Sequence, residues 1–278
     1  MIRKWATITG AGSGIGEEAA VELFDMGYSL ILIGHGADKL MAVRDCLAKR
    51  RVRREKKCGP SDQKIALIAK DLSDPSGRAE AWEDIKGIID KEGGLPAILI
   101  NSAGFGAVGN FRAIPYDLQE NMVDLNVEAV MFFTYRMADL MEKNGGGRIL
   151  NVASSAGLFP GGPYMSVYYA TKAFVVSFTN GIREELEESG SPVKVSALCP
   201  GPVNTPFNKR AGVRTPLHGI SAKRCVRAAI RGMKRQQAII LPGLSIKLAA
   251  AGAKLLPAGI MLPLTAHQQK KKLRNGKQ

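Results

Sequence analysis

The stretch TITGAGSGIGEEAA, residues 7–20, decides the fold. A β-branched run at 7–9 leads directly into Gly10, Gly14 and Gly16, and a helical pattern follows. Glycine lacks a Cβ, so a tight strand-to-helix turn can reverse there, admit a pyrophosphate and pack the helix closely on the sheet. The N-terminus of such a helix offers free N–H groups and a positive dipole to a phosphate. The stretch therefore predicts a dinucleotide-binding turn after the first strand.

Short apolar runs alternate with longer helical patterns along the rest of the chain. Seven runs predict strands, at residues 5–9, 29–33, 64–69, 97–100, 148–153, 193–198 and 238–241. Six segments predict helices, at residues 15–26, 37–50, 75–92, 117–143, 166–188 and 222–235. Most strand runs are apolar without polar alternation, as expected for strands covered on both faces. We therefore predict one α/β domain over residues 1–241, with a doubly wound parallel sheet of seven strands.

The net charge of +14 belongs to the C-terminal third of the chain. Glu188 is the last acidic residue, and residues 189–278 hold 17 Lys and Arg. Such a surface is either simply solvated or attracts anionic ligands or an anionic membrane surface. A second basic segment, KRRVRREKK at 49–57, predicts a solvated helix end with its loop, and nucleic acid binding is not expected.

Two further segments follow the predicted domain. Residues 242–269 form an extension whose apolar run is too short and interrupted to span a bilayer, since Lys247 and Lys254 divide it. With those lysines on one face, this amphipathic piece could cover a substrate pocket, lie at a membrane interface or pack on a second subunit. Residues 270–278 are predicted to be a basic, disordered tail.

The four cysteines are scattered and show no spacing typical of metal ligands. They predict free thiols in a reducing compartment and no metal site. The first residues enter a strand at once and leave no room for a signal peptide. These features predict a cytoplasmic protein.

The stretch SVYYATKAF, residues 166–174, pairs a tyrosine with a lysine. Tyr168 and Lys172 are four apart and share one helix face, whereas Tyr169 has Ala173 at that offset. A free phenol titrates near about pH 10, and a neighbouring cation favours the phenolate and lowers that pKa. By itself the pair is also common on solvated helices, so it gains meaning only from its context.

Five features together resemble the short-chain dehydrogenase/reductase family: TGAGSGIG at 9–16, NSAG at 101–104, Asn126, the serine pair 154–155 and YYATK at 168–172. The resemblance covers residues 1 to about 205. It implies a single-domain Rossmann fold and an oxidoreductase that transfers a hydride between nicotinamide and a carbonyl or secondary alcohol. Residues from 206 onward carry substrate specificity in that family, and their apolar and basic character suggests a lipophilic or acyl substrate.

The resemblance also assigns the catalytic residues. Tyr168 would be the general acid/base, and Lys172 would lower its pKa and bind the nicotinamide ribose. Ser155, thirteen residues before the tyrosine, would orient the substrate carbonyl, with Ser154 as the alternative. Asn126 would complete a proton relay to Lys172.

The cofactor contacts implied by the resemblance lie in several segments of the chain. They are Gly10, Ser13, Gly14, Ile15, Gly16, His35, Asp71, Leu72, Asn101, Ala103, Gly104, Tyr168, Lys172, Pro200, Gly201, Val203 and Thr205. No acid follows the second strand, where an NAD-binding protein would hold the ribose 2′-hydroxyl, and His35 could meet a 2′-phosphate. NADP is therefore the expected cofactor, with NAD possible.

Two expectations concern partners and the competing function. The family resemblance implies a homodimer or homotetramer formed through the helices at 117–143 and 166–188. A non-catalytic dinucleotide-binding sensor or interaction module is the alternative that the fold alone would permit. A phenol paired with a lysine, together with Asn126 and a serine, favours the enzyme because a binding module has no need of them.

Overall fold

The computed structural model describes residues 2–58, 61–214 and 219–273. Its strands are β1 (Lys4–Thr9), β2 (Ser29–Gly34), β3 (Ile65–Ala69), β4 (Leu95–Asn101), β5 (Gly147–Val152), β6 (Val193–Leu198), β7 (Val203–Asn204), β8 (Ile220–Ser221) and β9 (Ile239–Ile240). Seven of them form one parallel sheet in the order β3-β2-β1-β4-β5-β6-β9. All seven predicted strands are confirmed, and β7 and β8 pair separately.

Helices cover both faces of this sheet. They are α1 (Gly14–Asp25), α2 (Ala37–Cys58), α3 (Pro75–Glu92), α4 (Tyr116–Val123), α5 (Ala129–Lys143), α6 (Ser166–Glu188), α7 (Phe207–Arg210), α8 (Ala222–Lys234), α9 (Leu244–Leu255) and α10 (Ala258–Leu273). One core lies between the sheet and α1, α2 and α8, and the other lies between the sheet and α3, α5 and α6. Within β1, Ile8 belongs to the first core and Trp5 to the second. Burial on both faces explains why the strand runs lack polar alternation.

The basic segment at 49–57 is helical, because α2 continues through Cys58. The predicted helix end is confirmed, and only the loop within this segment was wrong. The helix continues because two of its arginine side chains donate hydrogen bonds to backbone carbonyls of neighbouring segments. Arg51 donates to the carbonyl of Gln63 at 2.6 Å, and Arg54 donates to the carbonyl of Phe24 at 3.1 Å. These two arginines attach the long helix to α1 and to the segment before β3, whereas Arg53 and Lys56 are exposed.

The helix predicted over 117–143 is interrupted by a π-turn at Asp124–Glu128, which separates α4 from α5. Asn126 lies inside that turn and is fully buried. Its side-chain amide bonds to the backbone of Phe105, which compensates for the irregular helix geometry. Single π-turns of this kind are frequent at functional sites.

The C-terminal extension folds as two helices, α9 and α10. Residues 270–273, predicted as part of a disordered tail, instead continue α10. The last turn is held because the backbone N–H of Arg214 donates to the carbonyl of Lys272 at 2.9 Å. Residues 274–278 lie outside the described residues. Among the residues that the structure describes, no helix combines the length and the apolar character needed to cross a bilayer.

The functional edge of the sheet lies where the strand order reverses. β1 and β4 are neighbours at this point, although they are far apart in the chain. The Thr9 hydroxyl at the end of β1 accepts hydrogen bonds from the N–H groups of Ser102 at 3.0 Å and Ala103 at 3.1 Å. Ligands of open α/β sheets bind in the crevice at such a switch point.

Candidate active site

The glycine turn after β1 forms one wall of the site. Gly10 and Gly14 have φ angles of 66° and 63°, in the left-handed region that favours glycine. A Cβ on Gly10 would lie 2.7 Å from the N atom of Ala103, and one on Gly16 would lie 2.3 Å from the carbonyl oxygen of Gly10. The turn thus brings the N-terminus of α1 against β4 with its first N–H groups directed to the crevice. This geometry fits the pyrophosphate of a dinucleotide.

The residues predicted to contact the adenosine end divide into two groups. His35 and Asp71 are exposed at the ends of β2 and β3, and their side chains approach to 3.8 Å. Leu72 and Asn101 are buried instead, and their side chains belong to the protein interior.

Asn101 contributes to a buried polar network rather than to the crevice. Its Nδ2 donates to Asn151 Oδ1 at 2.9 Å and to the Thr134 hydroxyl at 3.1 Å. Asn151 in turn donates to the hydroxyl of Thr179 at 3.0 Å. The network joins β4 and β5 to α5 and α6, so the side chain of Asn101 holds the elements that carry the site.

Sequence reasoning missed Lys39, in the first turn of α2. Its stem packs on the glycine turn, since a Cβ on Gly12 would lie 3.0 Å from the Lys39 Cβ. The Lys39 side chain is exposed, and a Cβ on Gly36 would lie 3.7 Å from its Cδ atom. A lysine at a helix start gives no special signal in a sequence, because only the folded turn brings it beside Gly12.

A cavity of about 490 Å³ extends from the glycine turn across the sheet edge. Predicted cofactor residues that line it are Gly10, Ser13, Gly14, Ile15, Ala103, Gly104, Tyr168, Lys172, Pro200, Gly201, Val203 and Thr205. Both serines of the 154–155 pair line it as well. Gly16, His35, Asp71, Leu72, Asn101 and Asn126 do not reach the cavity wall. The structure therefore brings together most of the predicted site.

Tyr168 lies in the cavity wall and packs against Phe207, with ring centroids 5.5 Å apart. Burial raises the pKa of Tyr168 to about 12, and a hydrogen bond with the Ser154 hydroxyl works in the opposite direction. The sequence predicts that Lys172 lowers the pKa of Tyr168, but Lys172 is not among the groups that shift it. At neutral pH the phenol is accordingly protonated and able to donate a proton.

The two serines differ in their contacts. A hydrogen bond of the Ser154 side chain lowers the pKa of Tyr168, and Ser155 has no such effect on it. The Ser154 Oγ also accepts from the N–H of Ala156 at 3.1 Å, which fixes the side chain at the start of a short 3₁₀ helix. Ser155 begins that helix, and its N–H donates to the carbonyl of Pro200 at 2.8 Å. Both hydroxyls line the cavity, so Ser155 stays the prediction from the thirteen-residue spacing and Ser154 is the alternative that this contact favours.

Lys172 lines the cavity beside Tyr168, and Asn126 lies behind it. The Lys172 ammonium donates to the carbonyl of Val152 at 2.9 Å and lies 5.9 Å from the centroid of the Tyr168 ring. Burial lowers the pKa of Lys172 to about 8. Asn126 Nδ2 donates to the hydroxyl of Thr171 at 3.1 Å, so the asparagine contacts the residue next to the lysine.

Tyr169 faces the C-terminal helices rather than the reacting centre. Gln269 of α10 donates from Nε2 to the Tyr169 hydroxyl at 2.6 Å, and both side chains are buried. This contact spans 100 residues of sequence and attaches α10 over the cavity. The C-terminal extension therefore covers the pocket, one of the three roles that its sequence left open.

Comparisons with known proteins agree with this geometry. The sequence profile of the short chain dehydrogenase family matches residues 4–214. An uncharacterized oxidoreductase of Staphylococcus aureus (strain MRSA252) is 34% identical over 202 residues, which cover 73% of this chain and 79% of that protein.

Two solved structures are similar over most of their length. A short-chain dehydrogenase from Sphingobium yanoikuyae in complex with NADPH is 29% identical, with a TM-score of 0.76, covering 93% of this chain and 95% of that one. The bulky-bulky ketone specific alcohol dehydrogenase from Comamonas testosteroni is 25% identical, with a TM-score of 0.71, covering 90% of this chain and 92% of that one.

Proposed function

The chain belongs to the short-chain dehydrogenase family, and from that premise we propose that it is an NADP-preferring reductase of lipophilic ketones. The observation that carries the proposal is the buried Tyr168 phenol, bonded to Ser154 and beside Lys172, in a cavity that opens from the glycine turn. Similarity to an NADPH complex and to a ketone-specific alcohol dehydrogenase supports it. A non-catalytic sensor is the competing function, and it leaves this constellation unexplained.

The glycine turn and the crevice fit a nicotinamide dinucleotide. The α1 N-terminus would hold its pyrophosphate, and Pro200, Gly201, Val203 and Thr205 would surround the nicotinamide end. When bound, this cofactor supplies the hydride for carbonyl reduction. The protein supplies orientation and the proton.

Tyr168 and Ser154 act on the same substrate oxygen. The Tyr168 phenol donates its proton to the carbonyl oxygen as the carbonyl becomes an alcohol. The Ser154 hydroxyl donates a hydrogen bond to that oxygen while negative charge develops on it. Lys172, held by the Val152 carbonyl, provides positive charge near the tyrosine after the proton has left. Because the phenol with its pKa of about 12 is protonated at neutral pH, the site suits reduction.

The preference for NADP rests on two residues beside the adenosine end of the crevice. Lys39 packs on the glycine turn, and His35 follows β2 where an NAD-binding protein carries an acid, with the Asp71 carboxylate 3.8 Å from it. A 2′-phosphate placed there would pair with the Lys39 ammonium.

Replacing Lys39 with Met should therefore raise the KM for NADPH about tenfold and leave the KM for NADH unchanged, as expected for one charge-assisted hydrogen bond. Lys49→Met is the matched control, since Lys49 is an exposed lysine farther along α2. Equal effects on both cofactors would contradict the assignment of the 2′-phosphate to Lys39.

The function itself is tested with a panel of carbonyl compounds and alcohols, each assayed with NADPH and NADH. We expect turnover of apolar ketones with NADPH and little turnover of small polar sugars. A protein that bound NADPH but converted no member of the panel would instead support the sensor function. Better conversion of sugars than of apolar ketones would contradict the substrate class.

The assembly expected from the family resemblance is also a proposal. Tyr116 on α4 and Tyr135 on α5 are 77% and 71% exposed, and Met131 lies on the same surface of α5. An exposed aromatic surface of this kind suits a subunit interface. We propose a homodimer or homotetramer in which α4, α5 and α6 meet their counterparts.

A further inference from the structure

One end of the cavity carries polar groups that ketone reduction does not use. The face of α10 that lines the cavity changes along the helix from apolar to polar, through Met261, Leu264, Thr265, Gln268, Gln269 and Lys272. At 1.5 Å per residue, this face is about 16 Å long. The lining therefore suits an elongated molecule with an apolar body and one polar end.

Lys272 is the cation at that end. Its Nζ lies 3.8 Å from the Sδ of Met165, a weak acceptor that cannot neutralise an ammonium. Burial is the sole cause that lowers the pKa of Lys272, to about 8, so no carboxylate of the described residues acts on it. The C-terminal helices contribute no carboxylate here, because Glu188 is the last acidic residue of the chain. A partly buried cation without a counter-ion is unfavourable unless a ligand brings an anion.

Gln269 provides a second, independent observation. Its side chain is 1% exposed and lines the cavity, and its Oε1 atom has no hydrogen-bond partner within the described residues. Burying an amide oxygen without a hydrogen-bond partner lowers the free energy of unfolding. Together with Lys272, this amide makes one end of the cavity polar.

We propose that the substrate is an amphiphilic oxo acid whose carboxylate pairs with Lys272. Its apolar body lies along Met261 and Leu264, and its carbonyl reaches Tyr168. This inference rests on the proposed function and narrows its substrate class from lipophilic ketones to those that end in a carboxylate.

The first test compares a mid-chain oxododecanoate with its methyl ester, both assayed with NADPH. The wild-type chain should favour the acid in kcat/KM by about tenfold or more, the effect of one charge-assisted hydrogen bond. Lys272→Met should remove this preference by raising the KM for the acid, with the ester unchanged. Lys271→Met is the matched control, because the neighbouring lysine is exposed and does not line the cavity.

Lys272→Arg distinguishes an effect of losing the positive charge from an effect of disturbing the fold. We expect this variant to keep the preference for the acid, since it keeps the cation. Equal conversion of acid and ester by the wild-type chain would overturn the inference. So would an unchanged KM for the acid in Lys272→Met, or loss of the preference in both Lys272 variants.

The second test measures binding without turnover. Dodecanoate should bind the wild-type chain in the presence of NADP more tightly than methyl dodecanoate does, and Lys272→Met should abolish the difference. If no ketone is reduced while this Lys272-dependent binding persists, the reductase proposal fails and the anion site stands. If ketones are reduced but dodecanoate and its ester bind equally, the anion site fails and the reductase stands.

Discussion

Tyr168→Phe is expected to lower kcat for ketone reduction by about 10²- to 10⁴-fold, the range contributed by a positioned general acid. The substitution removes one oxygen and keeps the ring that packs on Phe207, so the wall of the cavity is preserved. NADPH binding, followed by the change in its fluorescence, should stay nearly unchanged. Loss of turnover without loss of cofactor binding would identify Tyr168 as the proton donor.

The control for this experiment is Tyr28→Phe, which removes a phenol oxygen from a side chain that packs on the core beside α1 and does not line the cavity. It should keep wild-type kcat and KM. Substantial activity in the Tyr168 variant would refute the mechanism, whereas a loss of NADPH binding in that variant would assign Tyr168 a role in holding the cofactor instead.

Ser154→Ala is expected to lower kcat by about 10²- to 10³-fold, the cost of removing one hydrogen-bond donor from a developing oxyanion. Ser155→Ala is the matched variant, since it deletes the same atom one residue away from a side chain that also lines the cavity. We expect it to retain most of the activity. The two kcat values, measured with one ketone and saturating NADPH, decide which hydroxyl acts.

The reverse outcome has a definite meaning. A large loss in Ser155→Ala with an active Ser154→Ala would restore the assignment based on the thirteen-residue spacing. Because Ser154 also accepts from the Ala156 N–H, its replacement could disturb the 3₁₀ helix at Ser155–Leu158. Ser154→Thr keeps the hydroxyl at that position, and recovery of activity in it would separate the chemical effect from a local structural one.

Much of the fold was predictable because its causes are local in sequence. Apolar runs of strand length separated by helical patterns defined all seven strands of the main sheet. The helix predicted over 166–188 has the bounds that the structure shows, so the shared face of Tyr168 and Lys172 follows from helical geometry alone. The glycines of the first turn were equally predictable, because the turn itself excludes a Cβ.

Other features depend on where distant segments meet, and no local pattern encodes them. Lys39 became a candidate only because the fold places it on Gly12. The amphipathic pattern of the C-terminal extension left three roles open, and only the fold shows that the extension covers the pocket, where Gln269 bonds Tyr169.

The sequence by itself determined the parallel sheet, the dinucleotide turn and the pairing of Tyr168 with Lys172, because each arises from spacing within one element or one turn. Only the tertiary structure brings Ser154 to Tyr168 and places Lys272 in the cavity wall. These two placements depend on the path of a loop and on the docking of α10. Both arise from packing between residues far apart in the chain.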